Sequence, residues 1–151
     1  MTTYSYNHLK SVGIDFGTFT SVNGRIVWDQ PHKKANGQND AAFYRTVGDC
    51  VYFMYIDQQL VKIGKAGGAN GFYGRAGTYC AKPHQMDATT RKIIATVDDG
   101  TVIEMFAIQC PPALTQTFDP LTKTTITTKI SLHKEMETFH TDAFLAEGGS
   151  L

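Results

Sequence analysis

The sequence is short of charge, of cysteine and of long apolar runs, and each shortage excludes something. Only 19% of its 151 residues are Asp, Glu, Lys or Arg, and fourteen basic groups balance fourteen acidic ones. A neutral chain with 42% apolar residues is neither a disordered polyelectrolyte nor a protein whose overall charge marks a nucleic-acid partner. No apolar run approaches the ~20 residues of a membrane span, so no membrane partner is expected. The opening MTTYSYNHLK lacks the basic-then-apolar order of a signal peptide. Cys50, Cys80 and Cys110 never form a CxxC pair. A disulfide framework and a cysteine zinc site are therefore not expected, and the three read as reduced small hydrophobes. Glycine is plentiful only between residues 64 and 77, where GKAGGANGFYGRAG matches neither a P-loop nor GxGxxG. Those glycines suit turns and close backbone approach. Neither GxSxG nor HExxH occurs, and the histidines and Glu137 of the last helix read as a solvated face rather than a zinc site.

What is present is a core for one domain. Nine Phe, seven Tyr and one Trp supply large apolar surfaces. The charges are segregated along the chain. Residues 62–97 carry six basic groups against Asp87 alone, a net +5, while residues 98–151 carry three basic groups against eight acidic ones, a net −5. A basic middle could hold phosphates, and an acidic remainder could hold a metal ion.

Local patterns outline an α+β chain. Residues 1–48 lack long periodicity and read as an irregular N-terminal extension, with a small hairpin at Asn23-Gly24 and loop composition over residues 30–40. Residues 49–151 read as the main domain. Cys50 to Ile56 and Leu60 to Gly64 flank a three-residue polar link and form a hairpin, the first strand apolar on both faces. A short helix follows from about Phe72 to Ala81. Asp87 can cap a helix running to about Val97, and Thr101 to Cys110 forms a strand. Residues 121–130 fit an edge strand or a long loop. Residues 131–147 read as a helix capped by Ser131, with Leu132, Met136, Phe139 and Ala143 toward the core. On that wheel Glu135 borders the buried face and Glu137 points to water.

One constellation is more specific than its parts. Val51-Tyr52 opens the first hairpin strand and Lys62-Ile63-Gly64 ends the second, with Tyr52 and Gly64 twelve residues apart. Arg75 then stands on a helix, Tyr79 one turn later, and Glu135 on the last helix. This order resembles the GIY-YIG nuclease superfamily, above all the small phage endonucleases of the endonuclease II type. The resemblance covers about residues 48–147, with a weaker echo at residues 4–12 around Lys10.

The resemblance implies a small, mainly antiparallel central sheet flanked by helices. It also implies a metal-dependent DNA endonuclease, phage-encoded and acting in the host cytoplasm. By that likeness Tyr52 accepts or relays the proton of the attacking water. A phenol is a weak base at neutral pH, and the cations Lys62, Lys65 or Arg75 would favour its phenolate. Arg75 grips the scissile phosphate with its planar fork. Gly64 permits close approach, and Tyr79 faces the same cleft. Glu135 holds Mg²⁺, with Mn²⁺ as a substitute, since a hard ion prefers oxygen ligands. Lys10, Lys65 and either Arg91 or Lys92 contact DNA. Small nucleases often act as homo-oligomers, but nothing in the sequence fixes a subunit number.

The chain departs from the family pattern in three ways. Its second tripeptide is Lys-Ile-Gly instead of Tyr-Ile-Gly, eleven residues separate Gly64 from Arg75, and no Asn follows Glu135. The Lys62 substitution and the missing Asn motivate the alternative of a non-catalytic nucleic-acid-binding or virion-associated module that keeps the fold.

Overall fold

Why the chain folds as it does is clearest at its central hairpin. In the computed structural model, which describes residues 3–23, 25–31, 33–67, 71–81, 87–111 and 113–151, leaving out the side chains of Arg75, Thr78, Tyr79, Ala81 and Thr96, strands β3 (Cys50–Ile56) and β4 (Gln59–Ala66) pair antiparallel. Asp57 and Gln58 have φ of 48° and 63°, the left-handed pair that a two-residue turn between twisted strands requires. The link is thus two residues, not three, because Gln59 already pairs with Ile56. Val51 through Tyr55 are all buried, as the unbroken apolar run of β3 requires.

The sheet extends through the segment expected to stand apart. β1 (Ile14–Val22) and β2 (Arg25–Asp29) form a hairpin, and β1 pairs antiparallel with β5 (Val102–Gln109). The five-stranded order is β2-β1-β5-β3-β4, antiparallel throughout, with β4 at one edge. So residues 14–22 and 25–29 belong to the central sheet rather than to an irregular extension. Their strand pattern is hidden by a bulge between Asp15 and Thr18. Phe16 and Phe19 are three residues apart, wrong for a regular strand, yet both bury on one side against Phe72. Gly17 makes this possible: its φ is +84°, and a side chain there would run into the Asp29 carbonyl and Pro31.

Two helical layers cover the sheet. Cys50, Tyr52 and Met54 share one face with Phe16, Phe19, Ile103 and Met105. That face lies under α2 (Ala41–Arg45), α3 (Gly71–Ala81) and α4 (Ala88–Thr96), through Tyr44, Phe72, Ala76, Ile93 and Ile94. Val51, Phe53, Tyr55 and Phe106 share the opposite face with Leu9 of α1 (Tyr6–Val12) and with Met136, Ala143 and Phe144 of α5 (His133–Ala146). Burial pushes the Cys50 thiol up to about 12, far from the thiolate that chemistry would need.

Helix α5 lies in a different phase from the one its sequence suggests. Phe139 is 60% exposed, and the inward residues are Met136, His140, Ala143 and Phe144. The helix is turned by about 55° from the expected phase, at ~100° per residue. The cause is distant in sequence: Tyr4 hydrogen-bonds His140 Nδ1 at 2.8 Å and packs edge-on against Phe144. Ser131 does not cap the helix. Its hydroxyl pairs with His133 Nδ1, and Leu132 precedes the helix with no side-chain cap.

Residues 113–130 form a separate hairpin of β6 (Ala113–Asp119) and β7 (Thr124–Ile130), exposed along nearly its whole length. Only the β7 part was visible as a β-rich run. Among the described residues no helix is long and apolar enough to cross a membrane.

Candidate active site

Tyr52 and Gly64 face each other across β3 and β4. A Cβ on Gly64 would lie 2.7 Å from Cε1 of Tyr52 and closer still to Cζ and the hydroxyl. The absent side chain is therefore a geometric requirement: the phenol lies across the glycine and carries its hydroxyl toward the β4 edge. Phe72 of α3 closes the inner side of the ring, with centroids 4.7 Å apart.

Lys62 stands two residues before Gly64 on the same strand face. It is only 8% exposed. Its Nζ lies 5.4 Å from the Tyr52 ring centroid and donates to Asp87 Oδ1 at 2.7 Å and Thr90 Oγ1 at 2.5 Å. Asp87 also caps α4, accepting from the Thr90 N–H at 3.0 Å, as its sequence position suggests. Burial works to raise the Asp87 pKa, but hydrogen bonds from Lys62 and from the Thr90 amide and hydroxyl outweigh it and bring it down to about 2.

Tyr52, Lys62, Gly64 and Asp87 line a cleft of about 300 Å³ together with Lys65, Thr89 and Glu137. The cleft wraps around the edge of the sheet. Tyr52 and Asp87 reach it from one face, and Glu137 reaches it from α5 on the other. This reverses the sequence expectation for the two glutamates. Glu135 is exposed and does not line the cleft, while the half-buried Glu137 does. The rotation of α5 is the reason. The same rotation disperses the polar face, since His140 goes to Tyr4 and His133 to Ser131.

The other sequence-derived residues divide. Arg75 and Tyr79 are on α3, the helix that touches Tyr52, but their side chains lie outside the described residues. Arg91 and Lys92 are exposed on α4, the helix that Asp87 caps, and do not line the cleft. Lys10 is remote: it lies over Tyr6, a ring packed on Tyr55 and Phe106 of the opposite sheet face. Asp87 was legible only as a cap, and its pairing with Lys62 joins residues 25 apart without any local sequence signal.

Among the described residues no group of three or more His, Cys, Asp or Glu could enclose a metal ion. A single carboxylate is nevertheless compatible with Mg²⁺, which commonly retains several waters and takes one or two protein carboxylates. Glu137 has the right donor chemistry, whereas the Asp87 carboxylate is committed to Lys62 and Thr90.

The depressed Asp87 pKa sets an acid limb for stability. A carboxyl whose folded pKa lies below its ordinary value of 3.8 stabilises the fold above that value, and the contribution is lost as pH falls toward the folded pKa. The stability difference between wild type and Asp87→Asn should therefore narrow as pH drops from about 5 to about 2. Urea unfolding across that range measures it, and a pH-independent difference would contradict the pairing.

No protein-family model matches the chain, and no curated protein does. Among solved structures, that of a bacteriophage T4 EndoII mutant matches with a TM-score of 0.57 at 15% identity, covering 93% of this chain and 95% of that one. At such identity the likeness concerns the fold. The chain therefore has an α+β fold similar to that of EndoII, with helices flanking a central antiparallel sheet of five strands.

Proposed function

We propose that the chain is a metal-dependent DNA endonuclease that hydrolyses phosphodiester bonds. The observation that carries this reading is the single cleft shared by Tyr52, Lys62, Gly64 and Glu137. Its fold neighbour, EndoII of bacteriophage T4, supports a nuclease by name. In the proposed reaction Tyr52, as its phenolate, takes the proton of the water that adds to phosphorus, and the bond to the leaving sugar oxygen breaks as that oxygen takes a proton from solvent water. Lys62 stabilises the phenolate form of Tyr52 that receives the proton. Lys65 and Arg75 meet the phosphate, and Arg91 or Lys92 contacts the flanking DNA backbone, where cations bind without reading sequence. Glu137 would hold the metal, Mg²⁺ or Mn²⁺, which when bound neutralises charge on the phosphate oxygens. By the sequence resemblance, Tyr79 would face the same cleft from α3.

The test is incubation with supercoiled plasmid in Mg²⁺, in Mn²⁺ and in EDTA. Nicking or linearisation with either metal and none in EDTA is expected. Salt-sensitive DNA retardation without any strand scission would instead favour the non-catalytic binding module.

The arm formed by β6 and β7 suggests that the chain acts as a homo-oligomer. A two-stranded hairpin is marginally stable alone in water, yet this one exposes Leu114 at 68% and Phe118 at 61%. A second copy would cover that surface. Light scattering should give an oligomer for the wild type and a smaller species for Leu114→Ser/Phe118→Ser. Equal masses would remove this part of the proposal.

A further inference from the structure

A lysine that serves only to attract DNA has no need of burial, yet Lys62 is buried and its ammonium is tied to two side chains of another element. One is the Asp87 carboxylate, which bonds Lys62 and the Thr90 hydroxyl through Oδ1 and caps α4 through Oδ2. The other is Thr90, fully buried, whose hydroxyl accepts from Lys62 and donates to Asp87. The three side chains form a closed triangle of hydrogen bonds that joins the edge strand to the start of a helix. The stabilising charge on Asp87 does not by itself call for a buried ammonium: the Lys62 side chain is 9% exposed and that of Asp87 36%, and desolvating a lysine carries a cost that an apolar side chain of similar size avoids. Lys62 and Asp87 also line the cleft, and the Lys62 ammonium lies 5.4 Å from the Tyr52 ring centroid.

We propose that Asp87 and Thr90 are positioning residues that hold the Lys62 ammonium as a fixed positive charge beside Tyr52, at the position where the family motif carries its second tyrosine. A lysine left to its four flexible carbons would spread its charge over many rotamers. Anchored at two points, it presents one charge at one distance from the phenol, which is the preorganisation that charge stabilisation in a transition state needs. The role in catalysis rests on the nuclease reading above, whereas the clamp itself does not.

Asp87→Asn is the informative substitution, because Asn retains helix-capping ability while the negative charge is removed. Cleavage of plasmid by Asp87→Asn should slow by about 10- to 100-fold with KM little changed, the scale expected when a reacting group is displaced by an ångström. In a Lys62→Met background the same substitution should have no further effect, because its target is already gone. Equal slowing in both backgrounds, or no slowing in either, would overturn the positioning role. A second readout does not depend on cleavage. Nitrogen-edited NMR should resolve a slowly exchanging Lys62 ammonium signal in the wild type, absent from Lys62→Met and lost in Asp87→Asn while the α4 amide signals stay in place. Persistence of that signal in Asp87→Asn would overturn the clamp even if the wild type cuts no DNA. Absence of wild-type cleavage with a normal ammonium signal would count against the nuclease reading and, with it, against the catalytic role of the triangle.

Discussion

If the proposed cleavage reaction is correct, Glu137→Ala should lower its rate by about 10²–10³-fold, the cost of removing one preorganised charge-stabilising contact, and Glu135→Ala should leave it within about twofold. The two residues form an internal control. They share a helix, a charge and a chain length, and they differ in direction. Glu137 lines the cleft with Tyr52 and Gly64, and Glu135 is exposed away from it. Neither glutamate belongs to the core, to which α5 contributes the partly buried Met136, Ala143 and Phe144, and unfolding midpoints of the two variants should agree. Rates measured at saturating Mg²⁺ and again over a range of metal concentrations separate lost metal affinity from lost rate. A larger loss for Glu135→Ala than for Glu137→Ala would mean that α5 is turned differently when DNA is bound, and would remove Glu137 from the proposed site.

That reversal marks where the sequence stops being informative. Features set by neighbouring residues were legible. The β3–β4 hairpin, the Asp87 cap of α4 and strand β5 each follow from runs, turns or caps within about ten residues, and each is found where the pattern puts it. Features set by distant contacts were not. The phase of α5 depends on Tyr4, 136 residues before its partner His140, and a helical wheel favours Phe139 because it cannot see that contact. Strand β1 was hidden for another reason: the bulge at Gly17 breaks the alternation that would have announced it. The candidate site shows the same division. Tyr52, Lys62 and Gly64 were found together because one hairpin carries them, whereas the carboxylates around them, Asp87 and Glu137, come from helices on opposite faces of the sheet and needed the fold.

The pairing of Tyr52 with Gly64 yields the largest effect on the scaffold itself. Gly64→Ala inserts a methyl group where the phenol lies, overlapping Cζ and the hydroxyl. Either the ring leaves the cleft or the two strands separate. Overpacking of this kind costs about 1–3 kcal/mol. The activity loss should exceed what that destabilisation explains, because the displaced atom is the hydroxyl itself, and misplacement by an ångström costs about 10²-fold. A double-mutant cycle distinguishes this from a generic intolerance of side chains at an edge strand. With Tyr52→Ala the obstruction is gone, and Ala is favoured over Gly within a strand by about 0.5–1 kcal/mol. Gly64→Ala should therefore be neutral or stabilising in the Tyr52→Ala background and destabilising in the wild type, a change of sign visible by urea unfolding. The same cost in both backgrounds would mean that Gly64 serves the backbone, not the tyrosine. The change of sign would instead identify the glycine as the seat of the Tyr52 ring, and would explain in steric terms why the two motif residues stand twelve apart: that separation, with the turn at Asp57-Gln58 and the irregular register between Met54 and Tyr55, brings them face to face across the hairpin.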